Sequence, residues 1–193
     1  MYYPYLRGKQ FELILLRENT HLFKKEDKHR MHPIIEPVRE DMTALNRTLD
    51  KLNEEKVSYT LIVNPKVGKL KDQQINKDDV RIDKSLTYIG YILDAKADLS
   101  NLSSVLEEYE DHSISLIHYG FTDGKQLVEL LNNFQNIKNH IFIDLFAGKL
   151  YQRPFKNDGI KKVLIRDGFK QQKKNILYPR SEHFSDLHIT FED

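Results

Sequence analysis

The chain of 193 residues contains no cysteine. Disulfide bonds and thiolate metal sites are therefore excluded, and the absence fits a reducing compartment. The sequence also has no apolar run near the roughly 20 residues that a membrane-spanning helix needs. The charges of the N-terminal segment follow its first aromatic cluster, which is not the order found in a signal peptide. We therefore expect a soluble, cytoplasmic protein without a membrane partner.

The sequence also lacks a large excess of charge of either sign. Lysine and arginine number 30 against 29 acidic residues, so the formal net charge is +1. Domains that bind nucleic acid are usually clearly basic, so the total does not indicate nucleic acid, although a basic groove within a neutral total leaves it open. No glycine-rich phosphate loop follows a predicted strand, and neither an H-E-x-x-H helix nor a G-x-S-x-G elbow occurs. These absences disfavour the common nucleotide-binding folds, zinc proteases and serine hydrolases.

What the sequence does contain is a repeated pattern: an apolar run of strand length ends at a polar residue, and a loop or helix follows. Strands that are apolar on both faces and alternate with helical patterns predict βα units around a mainly parallel sheet. The predicted strands are 2–6, 33–38, 57–64, 86–94, 113–119, 140–145, 162–166 and 187–191. About eight strands predict a TIM-barrel-like α/β domain over residues 1–193; the alternative is an open, flavodoxin-like sheet.

The helical patterns lie between these strands. Residues 9–23 and 39–55 predict two helices, and in the first we expect Phe11, Ile14, Leu15 and Leu22 to face the core. Two further helices are predicted to begin at Asp98 or Ser100 and at Thr122 or Asp123, all residue types that cap helices. We expect residues 24–30 to be a solvated connector and residues 148–159 to be irregular.

Several segments carry a resemblance to a known family. The opening Tyr3-Pro4-Tyr5-Leu6-Arg7-Gly8-Lys9-Gln10-Phe11-Glu12-Leu13 resembles that of the bacterial sce7725 family, which is related to the phage T4 "beta protein" family. Similar patterns occur at 33–38, 61–65, 165–169 and 184–188.

The resemblance implies a barrel-like α/β fold and brings little chemistry with it. Members of the family are associated with mobile elements and phage defence, often beside a nuclease-like partner. They typically continue beyond the position of Asp193, which implies that the final strands of the barrel are missing here.

Polar residues at the carboxyl ends of the predicted strands form the candidate site, because functional residues of parallel α/β folds collect there. Carboxylates suit Mg²⁺ or Mn²⁺, which prefer oxygen ligands. An arginine offers a two-pronged hydrogen bond to phosphate, and a histidine with an ordinary pKa near 6.5 suits general acid–base catalysis. The predicted metal ligands are Glu36, Asp94, Asp144 and Asp167. The predicted catalytic residues are Glu36, His118, Asp144 and Arg166. Asn64 is a further polar residue at a strand end, and Arg7 and Lys9 are alternatives to Arg166 for holding a phosphate oxygen.

Two functional hypotheses follow. The first is a metal-dependent phosphodiester hydrolase that acts through this cluster. The second is a non-catalytic recognition or assembly module that works with a nuclease-like partner and exposes an apolar patch where the missing strands would dock. A simpler explanation of the polar strand ends is that the chain leaves the core there, where Asp and Asn favour turns.

Overall fold

The computed structural model describes residues 1–25, 28–155 and 159–166. Its strands are β1 (Tyr5–Leu6), β2 (Lys24–Lys25), β3 (Lys28–His29), β4 (Ile34–Ile35), β5 (Tyr59–Ile62), β6 (Thr87–Asp94), β7 (Ser113–Tyr119), β8 (Ile137–Ile143) and β9 (Lys161–Ile165). Its helices are α1 (Gln10–Glu18), α2 (Thr43–Glu54), α3 (Leu99–Glu108), α4 (Gly124–Leu131) and α5 (Lys149–Gln152), with 3₁₀ turns at Thr20–Leu22 and Lys77–Asp79.

Seven strands form one all-parallel sheet in the order β1-β4-β5-β6-β7-β8-β9. The strand order follows the chain order, because each crossover returns the chain to the next position along the sheet. The predicted α/β class and the mainly parallel sheet are confirmed. The predicted end of the 33–38 strand at Pro37 also agrees with the structure: the last ladder bond of β4 runs from the Glu36 N–H to the Leu6 carbonyl, and proline has no N–H to continue it.

The sheet curls into a half-barrel with a filled inner face. Alternate residues of the strands point inward, among them Ile34, Ile62, Ile92, Ile117, Ile141 and Val163. Tyr3 and Tyr5 of the β1 side pack against the same inner cluster as Ile165 of β9. Near the other end of the strands the Lys161 ammonium lies 5.2 Å from the centre of the Tyr3 ring. The two edges of the sheet therefore come close to each other across the inner face.

The outer face of the sheet is covered by the helices. Leu45, Leu49 and Leu52 of α2 are buried over β4 and β5, and α3 and α4 bury Leu102, Leu106 and Leu127 over the later strands. Two of the predicted caps are confirmed: the Asp98 carboxylate accepts the Ser100 N–H, and the Asp123 carboxylate accepts the Gln126 N–H.

Three local predictions were wrong. Helix α1 buries Leu13 and Leu16, whereas Phe11 and Leu15 of the predicted apolar face are exposed, because the helix packs on α2 through its other side. Residues 24–25 and 28–29, predicted as a connector, form a small antiparallel hairpin of β2 and β3. The predicted irregular stretch 148–159 contains the short helix α5.

No helix in the described part of the chain is long and apolar enough to cross a membrane. The predicted eighth strand, 187–191, lies outside the described residues.

Candidate functional site

The carboxyl ends of the parallel strands open at one end of the half-barrel, which we call the mouth. Glu36 lies there directly after β4 and is only 3% exposed. Its carboxylate accepts two hydrogen bonds, from the Tyr5 hydroxyl at 2.8 Å and from the Lys66 N–H at 2.7 Å. Burial raises the pKa of Tyr5, and the Glu36 charge adds to the rise, so this tyrosine stays a donor. Glu36, directly after β4, thereby joins β1 to the segment that follows β5.

Asp94, the last residue of β6, is held by two groups. One carboxylate oxygen accepts the Lys96 N–H at 3.0 Å, and the other lies 3.2 Å from the Lys66 ammonium. Lys66 also lies 3.4 Å from Asp72. The lysine is therefore shared between two carboxylates, and neither it nor Asp94 is left without a charged partner.

Asp144 and Arg166 meet on the far side of the mouth. The Arg166 Nε forms an ion pair with an Asp144 carboxylate oxygen 3.0 Å away, and the backbone N–H of Asp144 donates to the carbonyl of Ile165, the neighbour of Arg166. The pair is half-exposed, so solvent screens it and its contribution to stability is small. The two Nη groups of Arg166 make no hydrogen bond to another described residue.

An aromatic pair lies at the same edge of the sheet. The rings of Tyr119, at the end of β7, and Phe146, after β8, stack with centroids 4.2 Å apart and an angle of 26°. They are 40% and 50% exposed. Leu145 between Asp144 and Phe146 has φ of 69° and is 92% exposed. A left-handed leucine costs roughly 1–3 kcal/mol, a strain that clusters at functional sites.

His118 lies on the other face of the sheet, away from Glu36 and Asp94. It alternates with Ile117, which faces inward, and points into the core under α5. One ring nitrogen is 2.8 Å from the Tyr151 hydroxyl and the other is 3.0 Å from a His140 nitrogen. Burial lowers the pKa of His118 well below its usual value and lowers that of His140 to about 4. Both rings are therefore neutral and make part of the core.

The Asn64 side chain pairs with the backbone of the neighbouring strand as a peptide group would. Its amide donates to the Ile92 carbonyl at 2.9 Å and accepts the Ile92 N–H at 2.8 Å. These two bonds continue the ladder between β5 and β6 beyond the last residue of β5. The polar strand end here is explained by sheet pairing.

A buried polar chain that the sequence analysis missed crosses the inner face. His32 bonds Thr60 at 2.8 Å, Thr60 bonds Ser115 at 3.2 Å, and Asn139 donates to Ser115 at 2.8 Å. The bond from Thr60 on β5 to Ser115 on β7 passes over β6 at Gly90. A Cβ at Gly90 would lie 2.8 Å from the Thr60 methyl group. The signal in the sequence was a lone glycine inside an apolar strand, which marks a close approach.

The geometry does not supply the predicted Mg²⁺ or Mn²⁺ site within the described part of the chain. No three His, Asp or Glu side chains there come together to hold a metal ion. Glu36, Asp94 and Asp144 each have separate protein partners, and His118 faces away from them. Asp167, the fourth predicted ligand, lies outside the described residues. The metal site stays a prediction that these contacts do not support.

No protein-family model matches the chain, and comparisons with curated proteins and with solved structures also give no match. The resemblance to the sce7725 family therefore stays a prediction.

Proposed function

We propose that this protein is a non-catalytic recognition or assembly module that binds a partner protein through helix α1. The observation that carries the proposal is the exposure of three large apolar side chains. Phe11 is 83% exposed and Leu15 is 58% exposed, one turn apart on the same face of α1. Leu22, in the 3₁₀ turn that follows, is 57% exposed. An apolar surface of this kind is typical of protein interaction sites.

The position of α1 explains why this face is open. The helix follows β1, which is the first strand of the sheet, and packs against α2 through Leu13 and Leu16. In a closed (βα)₈ barrel another helix would cover its other side. Within the described residues, seven strands in chain order with both edges brought close favour a barrel-like sheet over a flavodoxin-like sheet, whose strand order reverses.

The occupant that fits this face is an amphipathic helix of the partner protein. Glu18 lies on the same face, three residues after Leu15 and seven after Phe11, and is exposed. It forms no ion pair with any other residue that the structure describes. A helix with an apolar stripe and one lysine or arginine opposite Glu18 would complement the surface in shape and in charge. The resemblance to the sce7725 family suggests a nuclease-like protein as its carrier, in phage defence or on a mobile element.

The alternative, a metal-dependent phosphodiester hydrolase, has weaker support. It needs carboxylates that share one ion. Glu36, Asp94 and Asp144 instead take hydrogen bonds and ion pairs from Tyr5, Lys66 and Arg166. The partner-binding proposal uses none of these residues.

A photo-crosslinking amino acid at position 15 tests the proposal. The full chain is expressed in its own host, with position 150 as the matched control, since Leu150 is also exposed but lies in α5. We expect position 15 to capture one protein, at an amphipathic helix that carries a basic residue. That protein should co-purify with the wild type and with L150D but not with L15D. It should bind E18K more weakly and regain affinity when its own basic residue is changed to glutamate.

Other results would overturn the proposal. A crosslink from position 15 to a second copy of this chain, or to its own residues 167–193, identifies a different occupant. Retention of the partner by L15D, or no crosslinked protein at all, removes the role of α1. The complex should survive E36Q and D144N, which leave α1 intact; if these two variants abolish it, the mouth rather than α1 is the binding surface.

A further inference from the structure

The mouth contains one group of side chains that neither the fold nor the α1 surface explains. Tyr119 and Phe146 are stacked at the ends of β7 and β8 with much of both rings in solvent. Exposed aromatic rings normally gain free energy by packing into the core. Here the left-handed Leu145 turns the backbone so that its own side chain is in solvent and Phe146 meets Tyr119.

A stacked pair with exposed rings is a platform for another flat ring. Base–aromatic stacking tolerates every base, because each base has a π face. Leu145, beside the platform and 92% exposed, offers an apolar edge to such a ring. These side chains favour a planar, partly apolar group over a sugar or an aliphatic chain.

Arg166, whose two Nη groups have no hydrogen-bond partner among the described residues, lies beside the turn that carries Phe146. The Phe146 N–H donates to Ile143, so Asp144 and Phe146 belong to one tight turn at the end of β8. Asp144 holds the Arg166 Nε at 3.0 Å and so fixes the guanidinium beside that turn. Its two Nη groups have the fork geometry that binds a phosphate. Lys66 is different, because its ammonium lies between Asp94 and Asp72.

We propose that the mouth binds a nucleoside phosphate, with the base stacked on the Tyr119–Phe146 pair and the phosphate held by Arg166. The ring platform explains recognition of the base, and the oriented guanidinium explains recognition of the anion. A free mononucleotide and the phosphorylated end of a nucleic acid strand share this chemistry. The site is independent of the α1 surface, so either proposal can fail without the other.

Calorimetric titration of the full chain with AMP, adenosine and inorganic phosphate tests the site. We expect AMP to bind more tightly than either adenosine or phosphate alone, because it uses both halves of the site. F146A should weaken AMP binding by about tenfold or more, the usual effect of losing a stacking partner. L150A is the matched control for loss of an exposed apolar side chain, and it should leave the affinity unchanged.

The arginine has a matched control as well. R166Q should lower the affinity for AMP to that for adenosine, whereas R81Q should not. Arg81 is also an exposed, ion-paired arginine, 2.8 Å from Asp50, but it lies before β6 at the other end of the strands. Circular dichroism confirms that each variant is folded. A terminally phosphorylated oligonucleotide that binds more tightly than AMP would identify a strand end as the source of the ligand.

Three results would overturn this proposal. If AMP binds no more tightly than phosphate, the aromatic pair has no role in binding. If AMP and adenosine bind equally, Arg166 has no role in binding. The same affinity for AMP in wild type and F146A shows that any binding occurs elsewhere.

Discussion

Acid should destabilise this protein before its carboxylates titrate, because His118 and His140 are buried as a neutral pair. Burial lowers the pKa of both residues, that of His140 to about 4, and the nearby Lys162 charge adds to the effect on His140. The unfolded chain has histidines with an ordinary pKa near 6.5. As the pH falls below this value, the unfolded state therefore binds protons that the folded state does not. Stability is complete above about pH 6.5 and is lost toward pH 4.

The size of the loss follows from the pKa of His140. A change from about 6.5 to about 4 corresponds to roughly 3 kcal/mol when the pH has fallen below both values, and to about 2 kcal/mol at pH 5. His118 and the buried His112, whose pKa burial also lowers, add to it in the same direction. For a domain with a typical stability of about 5–15 kcal/mol, this is a large fraction of the total.

Urea unfolding followed by circular dichroism between about pH 7 and pH 5 measures this loss, since carboxylates titrate mainly at lower pH. The double variant H118L/H140L removes both titrating rings, and its stability should depend much less on pH, whatever its absolute value. H21L, which removes an exposed histidine, should keep the dependence because the buried pair is intact. A wild-type stability that is constant over this range would refute the reasoning, as would a double variant with the full pH dependence.

Two further substitutions test the inner face and the polar strand end. G90A places a methyl group 2.8 Å from the Thr60 methyl carbon, so overpacking should destabilise the protein by about 1–3 kcal/mol in urea unfolding. Adding T60S to this variant should recover part of the lost stability. An unchanged unfolding midpoint for G90A would contradict the close approach. N64D keeps an acceptor for the Ile92 N–H but loses the donor to the Ile92 carbonyl. This variant should be less stable than the wild type by about 1–3 kcal/mol. Wild-type stability in N64D would show that Asn64 does not extend the ladder.

Much of the sheet could be predicted because its strands are apolar on both faces. Residues 113–119 were predicted to be the strand that the structure contains, since a mainly apolar run between a serine and a glycine has well-marked ends. The helix face of α1 could not be predicted in the same way. Residues 11–16 contain apolar side chains on two faces, and only the packing against α2 decides which face is buried.

The site was less predictable than the fold, because one pattern has several physical causes. Asn64, Asp94 and His118 all follow or end an apolar run, which made them look equivalent in the sequence. In the structure Asn64 extends a ladder, Asp94 holds a turn and Lys66, and His118 is part of the core. A shift of one residue in register moves a strand-end side chain to the other face of the sheet, and the ends of the strands were predicted to within about three residues only.

Large apolar side chains that are exposed instead of buried say more about function here than the polar strand ends do. A polar residue at the end of a strand satisfies hydrogen bonds that the ladder leaves open, so it needs no ligand to explain it. Phe11 and Phe146 have no such explanation, since their rings gain nothing from water. A sequence hides them because apolar residues are assumed to be core, and only a structure shows which are exposed. Their exposure on α1 and at the mouth is therefore the reason to look for a partner helix and a flat, anionic ligand.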